Sequence, residues 1–230
     1  MKLKLITILT LCLFIPSIGY AAKKKPKKCG ATSFNNCPSK GCGGDPLLNE
    51  KKNTEEQPAT DDIERVTRTK FAKLKFPAKW KSGTPRALLE DWGEGDAVEY
   101  EAFLIEVKHY TSGIESCNCN LKKEENNDFH LVTVNKKTFG EDDSITAEIS
   151  PRIRPDGWTF TKLKDLSKNK AYVKLTGYLM LDTQHVGKPV PRRLTHWEIH
   201  PVTSFQVCTG SVTGCKQGTG WADLADIPEP

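Results

Sequence analysis

The histidines are the first candidates for chemistry, because all five of them fall between residues 109 and 200. His196, Glu198 and His200 alternate within one strand-like run, so their side chains share a face. Strand residues two apart are separated by about 6.6 Å, so one histidine and Glu198 can converge on a metal ion. His196 and His200 are about 13 Å apart and cannot share one. A metal site here therefore needs ligands from another strand, and the sequence offers Asp128 and His130.

A divalent metal is the one cofactor that these side chains suggest. The candidate ligands are Asp128, His130, His196 and Glu198. The alternative interpretation is that the histidines only make structural hydrogen bonds, and no cofactor is firmly predicted.

A metal-assisted, nuclease-like hydrolase is the catalytic interpretation of the same region. Glu198 or Glu148 would act as the base and His130 or His196 as the acid. The arginines available to hold a phosphate group are Arg152, Arg154, Arg192 and Arg193. The chain contains no G-x-S-x-G motif, no glycine-rich phosphate loop and no H-E-x-x-H motif. We therefore favour a function without catalysis and assign no catalytic residue.

Two loops form the candidate binding surface, the one that carries residues 117–123 and the loop TQHVGKPVPRRLT, residues 183–195. The second loop has a positive edge, and a tyrosine in the preceding strand offers a ring face for stacking. The candidate ligand-binding residues are Tyr178, His185, Lys188, Arg192 and Arg193. Acidic residues at 124, 125, 142 and 143 offset the basic ones, so no continuous cationic groove is indicated. Protein, glycan and nucleic acid all stay open as ligands.

Five strands must position these residues. Alternating apolar residues predict the strands AVEYEAFLIEVKHY, FHLVTVN, SITAEIS, AYVKLTGYLMLD and HWEIHPVTSFQV. In the first strand the apolar parity shifts, from Val98 and Leu104 to Phe103 and Val107, which indicates a bulge or a bend. A short helix, WTFTKLKDLSKN, separates the third and fourth strands. This order predicts a mainly β fold, a five-stranded OB-like Greek-key barrel. The alternative is a generic antiparallel sheet with one helix.

The segment before the barrel is predicted to be a short helical preface packed on it, residues 61–95. Asp61 is a candidate cap for one helix, with Glu64 three residues later, and Thr84-Pro85 marks the start of a second. Residues 22–60 read as a Lys/Cys/Gly-rich segment, flexible or stapled by a disulfide. The barrel is assigned to residues 96–208 and a C-terminal loop and tail to 209–230.

Residues 1–21 have the pattern of a signal peptide, with cleavage expected after Ala21. Their apolar stretch of about 15 residues is short for a membrane span. The mature chain is therefore predicted to be periplasmic or secreted, without a transmembrane segment. Removing Lys2 and Lys4 leaves 32 basic and 29 acidic residues, a net charge of +3. That charge is too small to indicate nucleic-acid binding by itself.

Seven cysteines remain after cleavage, and export makes disulfides the expected state. They are Cys29, Cys37, Cys42, Cys117, Cys119, Cys208 and Cys215. Because seven is odd, at least one thiol is free, ligates something or pairs between chains. We expect one staple among the first three, distant partners for both Cys117 and Cys119, and a closed loop between Cys208 and Cys215. The alternative for the Cys117 and Cys119 pair is a redox or metal role.

The sequence also resembles a group of uncharacterised secreted bacterial proteins. The shared runs are GCGGDPLLNEKKN, ESCNC followed by DFHL, and VKLTGYLMLDTQH followed by RRLTHWEIHPVT. The likeness covers most of the mature chain. It implies an exported protein with an OB-like domain, and it transfers no activity and no catalytic residue.

The sequence therefore favours an exported, OB-like binding module of unknown ligand. One alternative is the metal-assisted hydrolase, and another is an envelope factor whose partner is a protein.

Overall fold

The computed structural model of the chain describes residues 30–188 and 192–230. The predicted signal peptide and Cys29 lie outside these ranges. Within them the helices are α1 Pro46–Lys52, α2 Arg68–Lys73, α3 Ala87–Glu90, α4 Phe160–Lys168 and α5 Val212–Lys216. The strands are β1 Glu64–Val66, β2 Ala97–His109, β3 Phe129–Val134, β4 Ile145–Ile149, β5 Tyr172–Leu181, β6 Trp197–Cys208 and β7 Trp221–Asp223.

Five strands close into a barrel in the order β2, β3, β4, β6, β5 and back to β2. Every pairing around the barrel is antiparallel except the one between β4 and β6. The helix α4 lies between β4 and β5 in the chain. The predicted OB-like Greek-key barrel is therefore confirmed. Two short strands extend its sheet, β1 beside β2 and β7 beside β6.

The strand β2 bends where the sequence predicts a bulge. Its register with β3 shifts between Leu104 and Glu106, and its buried face passes from Leu104 to Val107. The bend lets the strand pair with β5 along its first half and with β3 along its second. Apolar side chains from all five strands fill the barrel, the larger ones including Trp197, Phe205, Leu131, Ile145, Ile149 and Leu175.

Residues 45–53 form a capped helix that the sequence analysis missed. Asp45 accepts hydrogen bonds from the N–H groups of Leu47 and Leu48, and Pro46 is the first helical residue. Leu48 is fully buried, and α1 packs against β6. The segment 22–60 is therefore not simply a loop, because its second half covers one face of the barrel.

The two helices predicted for residues 61–95 are both displaced. The first begins at Arg68, capped by Thr67, and not at Asp61. The reason is that residues 64–66 pair as β1 with the open edge of β2. The second, α3, has four residues and begins at Ala87. Thr84 does not cap it, because its hydroxyl donates to the carbonyl of Lys81.

The disulfides differ in part from the expected pattern. Cys208 and Cys215 close the C-terminal loop as predicted. Cys37 pairs with Cys119, outside the segment 22–60, so it is not part of the staple expected among the first three cysteines. Cys42 is also disulfide-bonded. Cys117 is free and buried, so the expectation that both members of the Cys117 and Cys119 pair are bridged is correct only for Cys119.

The Cys37–Cys119 disulfide attaches the N-terminal segment to the loop between β2 and β3. Close backbone contact reinforces it, because the N–H of Cys42 donates to the carbonyl of Ser116 at 2.7 Å. Gly41, with φ of +58°, permits this approach, since a Cβ there would lie 2.1 Å from that carbonyl oxygen. Across the described ranges, no helix is long and apolar enough to cross a membrane.

Candidate ligand pocket

A cavity of about 480 Å³ opens on the outer face of the barrel. Residues of β3 and β4 form its floor. Its walls come from the β2–β3 loop (residues 110–128), the β5–β6 loop (residues 182–196) and α1. OB-fold barrels bind ligands at this place, across the second and third barrel strands and between these two loops.

Strand register brings a row of charged side chains to this face. In β3, β4 and β6 the side chains that alternate with core residues point outward. His130 lies directly across from Glu148. The parallel pairing of Thr146 with Glu198 continues the row to His200 on β6. These elements thus place two histidines and two glutamates side by side, outside the apolar core.

His130 is held between two carboxylates. Its Nδ1 lies 2.8 Å from Glu148 Oε1, and its Nε2 lies 3.1 Å from Glu115 Oε1. Burial alone lowers the pKa of His130, but Glu148 and Glu115 outweigh burial and raise the pKa well above its usual range. The raised pKa favours the protonated ring, and Nε2 hydrogen-bonds with Glu115 Oε1. Tyr110 packs edge-on against its ring, with 4.9 Å between the centroids.

Glu148 lies at the centre of the cluster. Its Oε2 is 2.8 Å from His200 Nδ1 and 3.5 Å from Lys52 Nζ. Burial alone raises the pKa of Glu148, but the positive charges of His130 and Lys52 hold the pKa well below its usual range. For His200, burial alone lowers the pKa, and Glu148 outweighs it and raises the pKa to about 9. Neither ring nitrogen of His200 has the geometry of a hydrogen bond, despite the short distance to Glu148.

Asp128 joins this row to the loop between β2 and β3. Its Oδ2 lies 3.8 Å from His200 Nε2 and 3.7 Å from Cys117 Sγ, and its Oδ1 accepts from Asn118 Nδ2 at 3.0 Å. Burial and then the charge of Glu115 raise the pKa of Asp128 to about 6. Burial and then Asp128 raise the pKa of the Cys117 thiol well above its usual range.

Lys52 brings a positive charge from α1 onto the same cluster. Its Nζ lies 3.5 Å from Glu148 Oε2 and 3.7 Å from Glu198 Oε1, and the side chain is 11% exposed. Burial alone lowers the pKa of Lys52, but Glu148 and Glu198 outweigh it and raise the pKa well above its usual range. The helix therefore neutralises two carboxylates that the barrel strands hold in a buried position.

A second set of ion pairs borders the pocket on the side of the β5–β6 loop. Arg193 Nη1 donates to Glu198 Oε2 at 3.0 Å, and Nη2 donates to Asp182 Oδ2 at 2.8 Å. Asp182 also contacts the ring of His185. Burial alone raises the pKa of Asp182, but His185, Lys52 and Arg193 outweigh it and lower the pKa. Arg193 is 7% exposed and serves this network, so it offers no free positive edge.

One side of the pocket's rim is apolar, and the other carries basic residues that are paired with acidic ones. Tyr110 is 42% exposed and Ile114 is 64% exposed. Lys108 and Arg192 lie on the charged side, and both form ion pairs with Glu141.

Of the predicted metal ligands, the structure brings Asp128, His130 and Glu198 into the cluster. His196 lies apart, because β6 begins one residue later, and its ring packs edge-on against Phe76. Among the residues that the structure describes, two triads have ligand atoms within 4.8 Å of one another and could hold a metal. They are Asp128, Glu148 and His200, and Glu115, Cys117 and Asp128.

Of the predicted ligand-binding residues, His185, Arg192 and Arg193 line the pocket. Lys188 is exposed and is not among its lining residues. Tyr178 borders a separate, smaller cavity. The arginines proposed to hold a phosphate, Arg152 and Arg154, instead donate to backbone carbonyls of neighbouring loops.

Lys52, Glu115 and Cys117 belong to the site and were not predicted as its members. The position of Lys52 could have been predicted from the sequence. Asp45-Pro46 is the pattern of a capped helix start, and in such a helix Leu48 and Lys52 lie on the same face. Glu115 and Cys117 lie in a loop without periodicity, so no pattern in the sequence points to them.

Comparison of the chain with protein-family models, with curated proteins and with solved structures gives no match in any of the three.

Proposed function

We propose that this chain is an exported binding module whose ligand occupies the pocket on the outer face of the barrel. The observation that supports this most is the position of the cavity, on the strands and between the loops that OB-fold barrels use for ligands. Its volume of about 480 Å³ suits a small molecule. Export is supported by the disulfides, which persist in oxidising compartments.

The chemistry of the lining favours a small, uncharged and hydroxyl-rich ligand, such as one or two sugar rings. Glu115 and Glu148 offer acceptors for hydroxyl groups, and the amide of Gln184, which lines the same pocket, can both donate and accept. Tyr110 and Ile114 provide an apolar wall against which one face of a ring can pack. A polyanion is disfavoured, because the carboxylates of the floor repel it and the basic residues of the rim already have acidic partners.

Calorimetric titration with monosaccharides, disaccharides, dipeptides and mononucleotides tests this proposal. We expect a sugar to bind with one site per chain, and Tyr110→Ala to weaken binding up to about tenfold through loss of the ring contact. Tyr178→Ala, which removes a tyrosine at the separate cavity, is the matched control and should leave the affinity unchanged. Absence of sugar binding, or an unchanged affinity in Tyr110→Ala, would overturn the proposed ligand class. Binding of single-stranded nucleic acid that weakens steeply with salt would replace it.

A hydrolase is the second candidate, and one observation favours it. His130 lines the pocket, hydrogen-bonds with Glu115 through Nε2 and lies 2.8 Å from Glu148 through Nδ1, which is an arrangement suited to proton transfer. If the protein is a hydrolase, chromogenic glycosides or phosphodiesters should be turned over, and His130→Gln should abolish turnover. If no substrate of either class is cleaved, this candidate is excluded and the binding module stands.

A further inference from the structure

We propose that Asp128, Glu148 and His200, with Cys117 as a fourth ligand, bind one divalent transition-metal ion of the zinc type. This inference goes beyond the proposed function, because the ion would be bound by the protein without any organic ligand. It shares only Asp128 with the set predicted from the sequence, since Glu148, His200 and Cys117 take the places of His130, His196 and Glu198.

The distances fit an ion between these groups. Asp128 Oδ2 lies 3.8 Å from His200 Nε2 and 3.7 Å from Cys117 Sγ. Asp128, Glu148 and His200 each offer a ligand atom within 4.8 Å of the others. Ligands of a four-coordinate zinc ion, at bond lengths of about 2.0–2.3 Å, are separated from one another by a little less than these distances. Small movements therefore suffice for Asp128, Glu148 and His200, whereas Cys117, whose Sγ lies beside Asp128 but outside this triad, would have to move toward the ion.

Three buried atoms that make no hydrogen bond, the two ring nitrogens of His200 and Oε1 of Glu198, point to a ligand at this place. His200 is 1% exposed, and neither of its ring nitrogens has a hydrogen-bond partner. Glu198 is fully buried, and its Oε1 accepts no hydrogen bond while it faces His200 Nδ1 at 3.5 Å. Buried polar atoms are nearly always satisfied, so unpaired ones around an acidic cluster need an explanation. An ion on Nε2 would supply one, with Nδ1–H turned to Glu198 as the outer partner of a metal-bound histidine.

The donor set favours the zinc type of ion over Ca²⁺ or Mg²⁺. Thiolate and imidazole donors prefer Zn²⁺, whereas the alkaline-earth ions require oxygen ligands. Three anionic ligands around a divalent ion leave one negative charge, and Lys52 lies 3.5 Å from Glu148 to balance it. Cys117, Asp128 and Glu148 line the pocket, which gives the ion a route from solvent.

The test uses the purified, disulfide-bonded chain, first stripped with EDTA and then titrated with Zn²⁺ or Co²⁺ alone. We expect one ion per chain and, with Co²⁺, the near-ultraviolet charge-transfer band of a thiolate ligand. Asp128→Asn should weaken binding at least about 100-fold, since loss of an outer-shell partner alone costs 10- to 100-fold. Asp142→Asn, at an exposed site, is the matched control.

Cys117→Ser keeps the proposal testable if buried charge variants fail to fold, because serine is close in size to cysteine. It should abolish the Co²⁺ charge-transfer band while the protein retains its circular dichroism. A stoichiometry below one, a spectrum without thiolate character or equal affinity in Asp128→Asn would overturn the metal site. Repeating the sugar titration in EDTA separates the two proposals, since pocket binding that persists there leaves the proposed function intact.

Discussion

Lys52 should be among the most stability-sensitive positions outside the barrel core, and Lys52→Met tests that reasoning. The substitution keeps most of the side-chain volume and removes the positive charge. Glu148 and Glu198 are then left buried without it, at side-chain exposures of 5% and 0%. The neighbouring Lys51 is the matched control, because it lies in the same helix and pairs with Glu90 at the surface.

The expected magnitude follows from the two ion-pair distances. At 3.5 and 3.7 Å each pair has an attraction of about 4.5 kcal/mol at an effective dielectric constant of about 20, before the cost of desolvation is subtracted. Removal of one partner from a buried pair typically costs about 3–5 kcal/mol, because the remaining charge stays buried. We therefore expect Lys52→Met to lower the free energy of unfolding by about 3–5 kcal/mol. For Lys51→Met we expect about 0–1 kcal/mol, the range for exposed pairs.

Urea unfolding followed by circular dichroism, in EDTA and without reductant, measures both variants against the parent chain. For a domain of this size the loss in Lys52→Met corresponds to a fall in Tm of about 10 °C. Equal destabilisation by the two substitutions, or a loss below about 1 kcal/mol for Lys52→Met, would refute the reasoning. Either result would mean that Glu148 and Glu198 are satisfied in the folded protein without the lysine.

Two further predictions concern pH and the disulfides. The folded-state pKa of Asp182 is lowered, so its ionised form stabilises the protein above the unfolded pKa of about 3.9, and this stability is lost as the pH falls below that value. The difference in unfolding free energy between the parent and Asp182→Asn, measured by urea titration from pH 3 to 7, should therefore shrink below about pH 4, and a constant difference would contradict this. Opening the Cys37–Cys119 disulfide, across 82 residues, should cost about 2 kcal/mol more than opening Cys208–Cys215, across 7, because it releases a longer loop in the unfolded chain. Paired serine substitutions and calorimetric unfolding check the difference, and equal costs would argue against the loop-entropy reasoning.

The barrel was predictable because its strands obey local rules. In each strand, apolar and polar side chains alternate, because one face of the strand lies in the core and the other lies outside it. In β2 the positions of the apolar residues shift by one, and this shift marks the bulge. The helix α4 was readable in the same way, from Thr159 as its cap and the spacing of its apolar residues. The secondary structure of residues 61–95 was harder to predict. The strand β1 forms because it pairs with the edge of β2, and nothing in the sequence of residues 61–66 indicates that pairing.

The site was predictable only where strand geometry constrained it. The rise per residue required a partner strand for Glu198, and the structure supplies His130 and Asp128 near it. Whether His196 belongs to the site depended on where β6 begins. The strand begins at Trp197 and not at His196, so His196 does not lie beside Glu198 and His200 on the outer face. Lys52 was not predicted, because a lysine in a polar, cysteine-rich segment is expected to be exposed to solvent. Its burial instead depends on the packing of α1 against β6, a strand about 150 positions later in the chain.

The covalent bond between Cys37 and Cys119 also has a consequence for when the pocket exists. The segment that it fastens to the barrel ends in α1, and α1 supplies both a wall of the pocket and the charge that neutralises Glu148 and Glu198. In a reducing cytoplasm this bond does not persist, so the barrel would hold two buried carboxylates under a cover that only non-covalent contacts retain. Assembly of the pocket is in this way coupled to oxidation, and we expect the pocket to be complete only where the disulfide can form.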